Sequence, residues 1–310
     1  MSDNSQGVDP RSGTTRSGMP LSFNRAPAPD LDPWIARIVV AKIEAPADFE
    51  LNCGICNDIA FQRVLLGGEW IAETSEGSMN IGREAILLGP HSRHMTVTCK
   101  GSLSTVNVGF RPGAKRRLFG ITASEVVDRI VRVDKFGLIG ADGKPIFDPG
   151  GEPVEWAQIL EDKVRDFIRE HDPLPPDPIS NAFELASFAD PNIAPGDFAE
   201  SNNISLRQLE RVVRRDFGLT PKTVLRRARA IDLAAQMLGL SDDQEEEEFL
   251  LRYFDQSHLI REFQAFFGIT PHAFRSSKRL LLTINLETRA ARRLEELNRL
   301  KPGAKRPWQG

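Results

Sequence analysis

Between Trp34 and about Val133 the apolar residues fall in short runs of β character, at 35–43, 59–66, 70–73, 85–88, 95–98 and 103–110. Gly67-Gly68, Gly77, Gly89-Pro90 and Gly101 separate them. Many short strands at close spacing predict a β-sandwich or small barrel. Residues 134–177 are different. Turn-rich Gly140-Ala141-Asp142-Gly143-Lys144-Pro145 and Asp148-Pro149-Gly150-Gly151 lead into one amphipathic helix at about 154–169. The run Asp172-Pro173-Leu174-Pro175-Pro176-Asp177-Pro178 follows, which cannot be helix and reads as a stiff linker. From there the helical period holds to about Leu282. The predicted fold class is α+β, with a β-rich domain at 34–133, a linker at 134–177 and an all-α domain at 178–277. Residues 1–33 hold few large apolar side chains and read as a disordered arm. Residues 278–310 carry nine Lys/Arg against three Glu and read as a frayed basic helix and tail.

The all-α segment repeats itself at an offset of fifty residues. Leu209, Arg211, Phe217, Gly218, Thr220 and Pro221 recur as Leu259, Arg261, Phe267, Gly268, Thr270 and Pro271. In each copy the apolar residues share one helix face: Leu206, Leu209, Val213 and Phe217, then Leu259, Phe263 and Phe266. Gly218 and Gly268 suit a left-handed stop, and Thr-Pro restarts a helix as N-cap and first residue. Val224, Ala228, Ile231, Ala235 and Leu238 place one long helix between the copies. Ahead of the first copy lies a short segment, 197–202, then Asn203, which tolerates positive φ, then Ser205 as a cap. Short helix, tight turn and second helix make a helix-turn-helix.

Charge sharpens this picture. The chain as a whole has a formal net charge of -3, yet residues 205–230 hold eight Lys/Arg against two acids. A basic helical block on a near-neutral chain is the electrostatic footprint of nucleic-acid binding. Residues 178–277 resemble the DNA-binding domain of AraC/XylS-type transcriptional regulators. The matching residues are Ser205-Leu206-Arg207-Gln208-Leu209-Glu210-Arg211, Phe217-Gly218-Leu219-Thr220-Pro221, Tyr253-Phe254-Asp255-Gln256-Ser257-His258-Leu259-Ile260-Arg261-Glu262-Phe263 and Phe267-Gly268-Ile269-Thr270-Pro271. The resemblance implies two helix-turn-helix units joined by the long helix, with recognition helices at 205–216 and 255–266 entering successive major grooves. Arg214, Arg215, Lys222, Arg226 and Arg227 are the candidates for phosphate contacts. Arg207, Gln208 and Arg211 in the first unit, and Gln256, Ser257, His258 and Arg261 in the second, are the candidates for groove contacts. The second unit departs from the family pattern, with Glu248 at a usual small position and Arg252 at a usual glycine. Six acids in seven residues precede it at 242–248. Facing DNA they would repel phosphate, so they read as a solvated face or as the mark of a weaker second unit.

More loosely, the β-rich region resembles the sensor half of such regulators, often a cupin-like barrel. Asn107-Val108-Gly109-Phe110-Arg111-Pro112-Gly113-Ala114 and Leu118-Phe119-Gly120 look like a stretch between sensor and linker in one branch. The resemblance implies double-stranded DNA as partner, with RNA polymerase, a small-molecule effector and a second copy of the chain as further ones. No cofactor is expected, and the mechanism is binding rather than catalysis. Three cysteines cannot staple a chain of 310 residues, the longest apolar runs fall far short of a bilayer span, and no apolar segment follows Arg11 and Arg16. The cytoplasm is the expected compartment. A rival reading, a metal- or thiol-dependent sensor or enzyme, rests on Cys53-Gly54-Ile55-Cys56 and His91-Ser92-Arg93-His94. Residues three apart on a strand point to opposite faces, so either pair could chelate only from a turn. The thirty-four residues between the pairs are not a zinc-finger interval.

Overall fold

The computed structural model describes residues 9–10, 13–242, 256–276 and 279–310. Alternating apolar residues build its sheet. The strands are β1 (Asp9–Pro10), β2 (Phe23–Arg25), β3 (Ile35–Glu44), β4 (Glu50–Ile55), β5 (Phe61–Thr74), β6 (Gly77–Ile81), β7 (Ala85–Leu88), β8 (Met95–Phe110) and β9 (Ile130–Arg132). They form one antiparallel sheet in the order β1-β3-β8-β5-β7-β9, with β2 on β3, β4 on β8 and β6 on β5. Two expected breaks are not breaks. Gly67-Gly68 lies inside β5 and Gly101 inside β8, and the β5–β8 register shifts around Gly67. A glycine within a strand pattern marks a bulge as readily as a turn, and here the strand bends and continues.

The period of two sorts the strand residues onto two faces. Ile38, Val40, Val64, Leu66, Val106 and Val108 pack on Trp156, Ala157, Leu160 and Val164. Those four come from helix α2 (Pro153–His171), which follows the short α1 (Ala114–Phe119). A reciprocal cap between Glu152 and Glu155 starts α2. On the other face Ile43, Leu65 and Leu103 meet Leu280, Leu281 and Ile284.

Those last residues belong to α9 (Leu280–Glu296), where a frayed tail was expected. Leu282, Leu286, Ala291 and Leu294 are buried with Trp308, beside helix α6 (Pro221–Met237). The excess of basic residues is neutralised from afar. Arg292 reaches Asp58 at 2.7 Å and Glu184 at 2.8 Å, and Arg289 reaches Asp58 at 3.1 Å and also pairs with Asp232. The arm expected to be disordered is likewise held from residue 13 on. Leu21 and Leu31 are buried, β2 pairs with β3, and the Asn24 amide donates to Glu287 of α9 at 2.7 Å. Local composition missed both because their partners come from other segments of the chain, as with Asn24 and Glu287. Among the described residues no helix is long and apolar enough to cross a membrane.

Candidate nucleic-acid interface

Helices α3 (Pro178–Ala189), α4 (Pro195–Ser201) and α5 (Leu206–Phe217) form the first unit with the start of α6. Asn203 adopts φ 54° in the turn after α4, and the Ser205 hydroxyl accepts from Gln208 N at 3.2 Å to cap α5. Leu209, Val213 and Phe217 bury one face of α5 against Phe183, Phe198, Val224 and Leu225. Phe183 meets Phe198 and Phe217 edge-on at 5.1 and 5.6 Å. The face left over presents Arg207, Gln208, Arg211 and Arg214, all exposed, with Glu210 among them. Lys222 is exposed in the first turn of α6.

The remaining basic candidates have internal partners. Arg215 donates to Asp216 at 2.6 Å and to Asp177 at 3.0 Å, and the bond to Asp216 holds its guanidinium above the ordinary range. Arg226 donates through Nε to Glu262 at 2.8 Å. Arg227 is not available to phosphate. It is 2% exposed and donates to the carbonyls of His91 and Asp58, both at 2.8 Å. Its position in a basic run suggested a surface role, but its place on α6 turns it into the β domain.

In the second unit α7 (Gln256–Phe267) is followed by Thr270, whose hydroxyl accepts from Ala273 N at 3.3 Å, and by α8 (Pro271–Arg275). Gln256, Ser257 and His258 occupy the first turn of α7, and Arg261 is exposed further along. Phe263, Phe267 and Phe274 make the core, with Phe263 and Phe274 edge-on at 5.1 Å. Residues 243–255, which hold most of the acidic run with Glu248, then Arg252 and Tyr253-Phe254-Asp255, lie outside the described residues. Two acids on the recognition helices do not face outward. Asp216 accepts from Ser180 Oγ at 2.6 Å, and Glu262, 2% exposed, accepts from Arg226 and from Arg229 at 2.8 Å. Buried and bonded, neither repels phosphate.

Sequence reasoning missed how the β domain holds both units. Gly218 and Gly268 end α5 and α7 with φ +77° and +70°. A Cβ at Gly218 would stand 2.2 Å from Val127 Cγ2, and one at Gly268 would stand 2.5 Å from the His94 ring. Ala123 N donates to the Arg215 carbonyl at 2.9 Å, and His94 N to that of Phe266 at 2.6 Å. The repeated glycines thus serve twice, as helix stops and as seats for the β domain. Only their stop chemistry was readable, since a seat depends on what arrives from elsewhere.

The same contacts account for the histidines. His91 is fully buried, its Nδ1 accepts from Asn57 N at 2.8 Å, and burial pushes its imidazole down to about 4. Cys53 sits on β4 opposite Val97, and Cys56 just beyond the strand, buried, with its thiol pushed up to about 12 by burial. Among the described residues no three His, Cys, Asp or Glu side chains come together as metal ligands would.

Residues 198–277 match the family described as a helix-turn-helix domain, and residues 24–132 match a domain of unknown function, DUF6597. No curated protein matches the chain. Among solved structures, apo ToxT from Vibrio cholerae is 11% identical with a TM-score of 0.45, covering 77% of this chain and 97% of that one. Wild-type ToxT with an unsaturated fatty acid bound is 9% identical with a TM-score of 0.43, covering 77% and 94%. The AraC-like transcriptional activator CuxR is 10% identical with a TM-score of 0.28, covering 83% and 92%. With a helix-turn-helix domain at 198–277 behind a sheet-rich N-terminal domain, this chain has the make-up of a DNA-binding transcriptional regulator.

Proposed function

We propose that the chain is an effector-responsive regulator that reads two adjacent major grooves of double-stranded DNA. The observation that carries this reading is the exposed strip of Arg207, Gln208, Arg211 and Arg214 on a helix whose opposite face is buried core. Arg207 and Arg211 suit the O6 and N7 of guanine, and Gln208 suits adenine. Arg214 and Lys222 are positioned for phosphates. Arg261 does the corresponding work in the second unit with Gln256, Ser257 and His258, and Arg215 and Arg226 are secondary because carboxylates already hold them. Binding is the whole of the mechanism; no chemical step is assigned. RNA polymerase and a second copy of the chain are the further partners, and the cytoplasm is where they meet.

The test is selection of DNA from a random pool by the full-length protein, then footprinting of the selected sites. The expected result is a site with two protected segments about 10 bp apart from centre to centre. Retention of DNA without sequence preference, or without loss on Arg207→Ala and Arg211→Ala, would refute the reading.

A further inference from the structure

Among the described residues, two of the five large apolar side chains left exposed stand on the recognition helices. Leu206 opens α5 and is 46% exposed, although Leu209, Val213 and Phe217 of the same helix are buried. Ile260 lies one turn into α7 and is 43% exposed, although Phe263 and Phe267 are buried. Single exposed apolar residues are ordinary on a protein surface. Their neighbours set these two apart. Leu206 adjoins Arg207, Gln208 and Glu210, and Ile260 adjoins Arg261 and Gln264, all of them exposed. Each is an apolar spot in a strip of hydrogen-bonding groups.

The core accounts for neither. Side chains on a helix lean toward its N-terminus, so Leu206 extends over the open end of α5. In a helix-turn-helix the N-terminal residues of the recognition helix meet the base edges. Those edges offer one apolar group in the major groove, the 5-methyl of thymine. Packed on any other edge, a leucine or isoleucine would strip water from donors and acceptors without replacing their bonds.

We infer that Leu206 and Ile260 are specificity-determining residues, each packing on the 5-methyl group of a thymine in the major groove. The offset of fifty residues puts Ile260 at the place of Glu210, not of Leu206. The two half-sites are therefore not copies of one another. In the first, the thymine adjoins the base pairs read by Arg207 and Gln208 at the start of α5. In the second it lies a turn further along the helix, beside the pair read by Arg261. Glu210 holds the matching place in the first unit, where a carboxylate suits the amino group of cytosine. This rests on the groove-reading proposal above, and the experiment separates the two.

The DNA site that the full-length protein selects from the random pool is made as a duplex, with deoxyuridine replacing thymidine at one position at a time. Each replacement removes the methyl and keeps the base pair. Affinity is read by fluorescence anisotropy. One replacement in each protected segment is expected to weaken binding about 3- to 10-fold, the worth of roughly one buried methyl. Leu206→Ala should abolish one of the two sensitivities and Ile260→Ala the other. Neither variant should change the salt slope, since no phosphate contact is lost, or the urea midpoint, since both side chains are exposed. A selected site with no methyl-sensitive thymine would overturn the inference and leave the groove reading standing. So would sensitivities that both alanine variants keep, and a lowered urea midpoint beside them would make the two side chains structural. Failure to select any preferred sequence would overturn the groove reading itself, and this inference with it.

Discussion

Gly218 and Gly239 both stand just beyond a helix with left-handed backbones, φ +77° and +67°, but only one of them has neighbours. A Cβ at Gly239 would meet nothing within 4 Å. At Gly218 it would stand 2.2 Å from Val127 Cγ2 and 3.0 Å from the Ala123 carbonyl oxygen. Gly239→Ala should therefore cost only the left-handed penalty, about 1–2 kcal/mol. Gly218→Ala adds the crowding of a packed contact, about 1–3 kcal/mol more. Val127→Ala removes the nearest atom, so in the double variant the two changes should couple favourably by roughly 0.5–3 kcal/mol. Urea unfolding followed by circular dichroism measures all four proteins, and an unchanged m shows that the denatured state is the same. Equal losses for Gly218→Ala and Gly239→Ala, or additive losses in the double variant, would refute the docking of the β domain on the end of α5.

Four further outcomes follow from the same contacts. Arg211→Ala should weaken specific DNA binding by about 1–3 kcal/mol and relax the preference at one base step, read by fluorescence anisotropy. Lys222→Ala should reduce the salt slope by about 1, whereas Arg227→Ala, bonded to the His91 and Asp58 carbonyls, should lower the unfolding midpoint and leave that slope unchanged. Glu262→Ala should cost about 1.5–3 kcal/mol of stability through its lost bonds to Arg226 and Arg229, read by urea unfolding. Burial lowers His91 from 6.5 to about 4, so the folded state holds it neutral and the unfolded chain takes the proton first. Its contribution is fully present above pH 6.5 and is lost as pH falls towards 4, by about 1.4 kcal/mol per pH unit, while His91→Asn should flatten that slope.

What the sequence determined by itself was local. Asn203 in a tight turn, Ser205 and Thr220 as caps, Gly218 and Gly268 as stops and the apolar stripe of α5 from Leu209 to Phe217 stand as their neighbours within a turn or two dictate, whereas Leu206, expected on the same stripe, is exposed. The exposed strip of Arg207, Gln208, Arg211 and Arg214 followed from the same stripe, since burying one helix face leaves the other to solvent. The tertiary structure alone decided which charges are spent. Arg227 and Glu262 look like surface residues on any local count, yet each is buried with partners 33 to 169 residues away. It also decided that α9 and the arm before β3 belong to the core. A cap or a stop is settled by atoms a few bonds apart along the chain. A buried charge is settled by whichever distant segment supplies its counter-charge, and that is known only when the chain has closed on itself.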